Sequence, residues 1–119
     1  MPRLTPADPA AVAAALASTE RTRADLRLLT KHFLSELERR APGRSVEVRV
    51  PPYAAVQVVP GVRHTRGTPP AVIELDAVTW IDLATGTTSW AEAVDRGLVR
   101  ASGERADLSA YLPLWSADA

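Results

Sequence analysis

The densest group of chemically capable side chains in this sequence lies between Arg63 and Thr68, in the stretch RHTRGT. Arginine guanidinium groups bind carboxylate or phosphate through paired hydrogen bonds. A glycine before this stretch and two prolines after it favour a loop of restricted conformation. The sequence therefore predicts a candidate site for an anion or a charged headgroup, made by Arg63, His64, Arg66 and Thr68.

Two other interpretations of the same loop remain open. Its arginines could pair with Glu47, Glu74 or Asp76 and fasten the loop to a sheet. Exposed ion pairs of that kind contribute only ~0–1 kcal/mol each. The loop could instead form a contact between copies of the chain, which would make the protein a homo-oligomer.

The charge of the chain excludes one large class of partner. With 14 basic and 14 acidic residues the net charge is zero, whereas a nucleic-acid-binding protein needs a basic surface. The charges are unevenly divided, because residues 1–66 carry a net charge of +5 and residues 67–119 a net charge of −5. Either the two halves pack together and neutralise each other, or they meet in an oligomer.

No residue pattern predicts catalysis, a metal or a cofactor. The absence of cysteine excludes disulfides, thiolate nucleophiles and zinc–thiolate sites. We find no phosphate-binding loop, nucleophile elbow or metalloprotease motif, and no acidic and histidine residues at metal-ligand spacing. His32 follows Lys31 on a predicted helix, off its apolar stripe, and is interpreted as solvated.

Length and hydropathy predict a single cytoplasmic domain over residues 1–119. The longest apolar run, residues 10–17, is too short to span a bilayer, and the polar start does not resemble a signal peptide. Within this domain, residues 8–41 form N-terminal helices and residues 45–114 form a sheet with short C-terminal helices. No transmembrane segment is expected.

Capping and periodicity define the elements. Asp8 and Thr22 are N-caps of two helices, the second with apolar residues at three- and four-residue steps. Strands are predicted at 45–50, 54–59, 71–75 and 98–102, a short edge strand is allowed between 62 and 70, and short helices are predicted at 76–83, 89–96 and 105–112. Helices and strands that are segregated in this way indicate an α+β fold with a mainly antiparallel sheet covered by helices.

The C-terminal third resembles a known family. The run DAVTWIDLATGTTSWAEAVDRGLVRASGERADLSAYLPL, residues 76–114, resembles the C-terminal half of the sterol carrier protein superfamily, in which short helices and a strand each end at glycine. The upstream stretches PGRSVEVRVPPYAAVQ and RHTRGTPPAVIELD are similar to the small stand-alone bacterial branch of that superfamily. The resemblance covers residues 42–114.

The resemblance implies a roughly five-stranded sheet and helices that enclose an apolar tunnel for sterols, acyl chains or other lipids. Trp80 and Trp90 belong either to the core or to the wall of such a pocket. The candidates to line the pocket are the apolar side chains Val56, Val58, Ile73, Leu75, Trp80, Leu83, Trp90, Val94, Leu108 and Leu112.

Three functions follow as hypotheses. The first is a non-enzymatic carrier of a lipid, sterol or other apolar ligand, which the resemblance implies. The second is a protein-interaction or oligomerisation module without lipid cargo, which the uneven charge favours. The third is an accessory domain of a small-molecule enzyme, since related domains of the superfamily are fused to enzymes.

Overall fold

The computed structural model describes residues 3–61, 71–103 and 106–115. Four helices and four strands are found in these residues. In chain order they are α1 (Pro9–Ala17), α2 (Arg23–Arg40), β1 (Val46–Val50), β2 (Ala54–Val58), β3 (Ala71–Glu74), α3 (Ala77–Thr85), α4 (Trp90–Asp95) and β4 (Arg100–Ser102), followed by a 3-10 turn at Ser109–Tyr111.

The helices begin at the predicted caps. Asp8, Asp76 and Ser89 each accept a hydrogen bond from a backbone N–H of the first turn that follows. Thr22 and Asp25 form both bonds of a capping box, at 3.1 and 3.0 Å. These side chains satisfy N–H groups that have no partner within the helix, so short helices can begin at defined residues.

The sheet is mixed, in the order β2-β1-β3-β4. β1–β2 and β3–β4 are antiparallel pairs, and β1–β3 is parallel. The α+β class and the helical cover are therefore confirmed, but the described residues hold four strands where about five were expected. The edge strand considered between residues 62 and 70 lies outside the described residues.

One face of the sheet is apolar and the other is charged. Val46, Val48 and Val50 are fully buried beneath the helices, as their alternation with polar residues predicts. On the opposite face Arg49 pairs with Glu47 at 3.1 Å, and Arg100 lies 4.0 Å from Glu74 on the neighbouring strand. The fold is thus a helical layer on a single sheet face.

The core is built around α2. Its residues Leu29, Phe33 and Leu37 are fully buried, and α2 contacts α1, β2 and α3. The indole of Trp80 on α3 is also fully buried, and its Nε1–H donates to the carbonyl of Thr30 at 3.3 Å. This hydrogen bond joins α2 and α3 through two residues that are 50 positions apart in the chain.

A corner at Val59 ends the second strand one residue earlier than predicted. Val59 has a φ of 70°, which a β-branched residue rarely adopts. Its N–H donates to the carbonyl of Ala41 at 2.6 Å, and its carbonyl accepts from the N–H and hydroxyl of Ser45. Gly43 lies so close to the Val59 carbonyl that no side chain would fit there. The end of α2 is thereby held at the start of β1 and the end of β2.

The prediction of a helix at residues 105–112 is wrong for the residues described. Only Ser109–Tyr111 form a single 3-10 turn. The carboxylate of Asp107 accepts from the N–H of Ser109 at 2.7 Å, a local bond that competes with helix formation. Leu108 is nevertheless fully buried, so this segment still closes the core.

We predict that Thr30→Val leaves stability unchanged or raises it by about 1 kcal/mol. The Thr30 hydroxyl is buried and has no hydrogen-bond partner among the described residues. Valine keeps the shape and removes the desolvated polar group. Ser35→Ala is the control in the same helix, because the Ser35 hydroxyl donates to the His32 carbonyl at 2.6 Å. Chemical denaturation that shows Thr30→Val to be the more destabilising change would contradict the prediction.

Candidate functional site

The arginine loop lies outside the described residues. Arg63, His64, Arg66 and Thr68 are therefore not placed, and all three interpretations of the loop stay predictions. The acidic residues considered as its partners have roles of their own. Glu47 pairs with Arg49, Glu74 lies near Arg100, and Asp76 caps α3.

Most of the apolar pocket candidates lie in the packed core. Val56, Val58, Ile73, Leu75, Trp80, Leu83 and Leu108 are buried, Trp90 and Leu112 are partly buried against them, and Val94 is 47% exposed. Val58, Ile73 and Trp80 are fully buried, and their role in lining an apolar pocket stays a prediction.

A groove with a volume of about 750 Å³ lies elsewhere on the described surface. Three segments form it: α2, the chain preceding α1, and the turn between β1 and β2. From α2 come Ala24 and Leu28, from the N-terminal chain Thr5 and Ala7, and from the turn Pro52 and Tyr53. None of the ten apolar candidates lines this groove.

The turn at one end of the groove is closed by its backbone. The N–H of Tyr53 donates to the carbonyl of Val50 at 2.9 Å, between the paired strands β1 and β2. Ala7 and His32 also line the groove, and the N–H of Ala7 donates to Nδ1 of His32 at 3.1 Å. Hydrogen bonds thus fix the turn and the N-terminal chain, two of the three segments that line the groove.

Three cations follow one side of the groove. Arg23, Arg27 and Lys31 are spaced four residues apart on α2, so they lie on one helix face. Among the described residues, no aspartate or glutamate lines the groove, and none of the three cations has an acidic partner within 4.0 Å. The groove therefore combines an apolar floor with uncompensated positive charge.

His32 is not the solvated residue that the sequence indicated. It is partly buried, its Nδ1 accepts from Ala7, and its ring packs edge-on against Phe33 with centroids 5.1 Å apart. Burial lowers the pKa of His32, and Arg39 adds to the effect, whereas Glu36 opposes it. The neutral ring, with Nδ1 unprotonated, is the form that can accept the Ala7 bond.

A smaller groove of about 350 Å³ lies at the other end of α2. It is lined by residues that include Arg3, Glu38, Arg44 and Val56, the last of which is one of the apolar candidates. Because it mixes both signs of charge, it offers a weaker preference for one class of ligand than the larger groove does.

Neither a metal site nor a membrane-spanning helix is found in the described residues. Among residues 3–61, 71–103 and 106–115 no group of three histidine, aspartate or glutamate side chains could hold a metal ion. In the same part of the chain, no helix combines the length and hydrophobicity needed to cross a bilayer.

The chain is an α+β protein with a helical layer on one sheet face and an open, mainly apolar groove beside α2. Residues 22–114 match the family model described as bacterial SCP ortholog, where SCP stands for sterol carrier protein. The chain belongs to this bacterial sterol carrier protein-like family, as its C-terminal third indicated. No curated protein matches the chain.

We predict that acid destabilises the protein through His32. Its pKa in the folded state lies below the ordinary value of 6.5, so the unfolded chain binds this proton more readily. The contribution of His32 to the free energy of unfolding is thus complete above pH 6.5 and declines as the pH falls from there towards the lowered pKa.

Denaturation between pH 5 and 8 checks this prediction. The measurement is best made in a His64→Asn background, which leaves His32 as the only histidine. His32→Gln should flatten the dependence on pH in this range. A slope that is equally steep without His32 would contradict the assignment.

Proposed function

We propose that the protein is a non-enzymatic carrier that binds an apolar or amphipathic small molecule in the groove between α2, the N-terminal chain and the β1–β2 turn. The groove itself carries the proposal. Its volume of about 750 Å³ is within the range of roughly 300–1,000 Å³ that is typical of small-molecule sites. Membership in the sterol carrier protein-like family supports the same ligand class.

The floor of the groove supports binding of apolar surface. Leu28 and Tyr53 are partly buried and pack against the core, yet both keep a face towards the groove. A ligand that covers such surface gains about 25 cal/mol for each Å² of apolar area removed from water. An acyl chain or a ring system fits this requirement.

The interior of the domain supports binding less well than the groove does. A ligand between the sheet and α3 would have to displace side chains such as Ile73 and Trp80, which have no accessible surface. The groove needs no displacement of the core. A lipid- or sterol-sized ligand would therefore lie partly exposed against α2 instead of inside a closed tunnel.

We predict that Ala24→Trp weakens binding of n-octanol about tenfold or more, since about 1.4 kcal/mol lost corresponds to tenfold. Ala24 is an exposed groove residue on α2, so a large side chain there fills the groove without entering the core. Ala14→Trp, at an exposed position on α1 away from the groove, is the matched control. Isothermal titration calorimetry measures both. Equal affinity in the two variants, or no binding of n-octanol to the unmodified protein, would count against the proposal.

A further inference from the structure

We propose that the ligand of the groove carries a phosphate group, which the row formed by Arg23, Arg27 and Lys31 binds, while its apolar part lies against Leu28 and Tyr53. This inference rests on the proposed function and adds the charge of the ligand. Thr5 and Ala7 form one wall of the groove and precede the matched residues 22–114. The family match therefore does not include the complete site.

The position of the three cations is the first argument. Successive members are four residues apart on a helix, which separates them by about 6 Å along its axis and spans about 12 Å in all. The nearby carboxylate of Asp25 accepts from the N–H of Thr22 in the capping box and does not line the groove. The row of three cations therefore faces the groove with no acidic partner among the described residues.

The chemistry of the row favours phosphate over carboxylate. A carboxylate is satisfied by one guanidinium fork, whereas a phosphate ester offers three acceptor oxygens and a charge of about −1.5 to −2 near pH 7. Two arginines and one lysine supply both the paired hydrogen bonds and the point charge that such a group needs. Neighbouring members of the row are close enough to share one phosphate.

The shape of the site favours a single molecule over a bilayer surface. The cations border a concavity that is also lined by the apolar side chains of Leu28, Pro52 and Tyr53. A flat membrane would meet the rim and leave the floor of the groove uncovered. A phosphate-bearing amphiphile fills both parts, with its phosphate at the row and its chain or ring on the floor.

The test compares two ligands that share one chain, octyl phosphate and n-octanol, by isothermal titration calorimetry below micelle formation. We expect octyl phosphate to bind about tenfold or more tightly, with an advantage that declines as salt is added. Arg23→Gln, Arg27→Gln and Lys31→Gln should each cost about two- to fivefold for octyl phosphate, as exposed charge pairs do. The triple variant should bind both ligands alike.

Arg39→Gln is the matched control, because Arg39 is exposed on the same helix and does not line the groove. It should leave both affinities unchanged. Thermal unfolding of each variant checks that the substitutions leave the fold intact. Backbone NMR shifts at Ala7, Leu28 and Tyr53 on addition of octyl phosphate would place the ligand in the groove.

Each other outcome has a defined meaning. If n-octanol binds but octyl phosphate binds no more tightly, the phosphate assignment is overturned and the carrier proposal stands. If neither ligand binds, both proposals fail. If inorganic phosphate binds as tightly as octyl phosphate, the proposal that the ligand is an amphiphile is overturned. Binding only to phosphatidylcholine vesicles that contain phosphatidic acid, and not to octyl phosphate, would overturn the single-molecule site in favour of a membrane surface.

Discussion

The packing of helix α2 against the sheet is the constraint on which the rest of the structure depends. Leu29, Phe33 and Leu37 are fully buried, and the Trp80 indole donates a hydrogen bond to the backbone of the same helix. Because each helical residue is rotated by about 100° from the last, burial of this stripe also sets the direction of every other side chain on α2. The row from Arg23 to Lys31 is thereby directed into the groove.

The corner at Val59 determines where along the sheet the groove is formed. It holds the end of α2 beside the start of β1, so the chain runs back along the helix as it forms the strand. Five strand residues advance about 17 Å, which equals about 11 residues of helix. Counted back from Arg40, that distance reaches the region of Leu28 and Lys31. The turn with Pro52 and Tyr53 must therefore lie beside the first half of α2, where the groove is observed.

Local signals in the sequence predict most of the elements but not the groove. Helix caps such as Thr22 and Asp76 act between residues close in the chain, and so does the alternation from Val46 to Val50. These patterns can therefore be recognised in the sequence alone. The hydrogen bond from Ala7 to His32 joins residues 25 apart and has no periodic signal. The prediction of a last helix was wrong because of a local interaction. The Asp107 side chain accepts a hydrogen bond from a nearby backbone N–H, which the apolar pattern did not indicate.

The difference between an interior tunnel and a surface groove is decided by what a ligand must displace. To enter between the sheet and α3, a ligand must expose side chains that are now fully buried, at a cost of about 1.5–3 kcal/mol for each one that stays uncovered. The groove beside α2 is open without any movement of the core, and its apolar surface is in contact with water. A ligand there loses no core packing, and its own charge can replace the missing counter-charge of the helix. The proposed surface site therefore requires less disruption of the core than an interior site would, even though the family resemblance implies an enclosed tunnel.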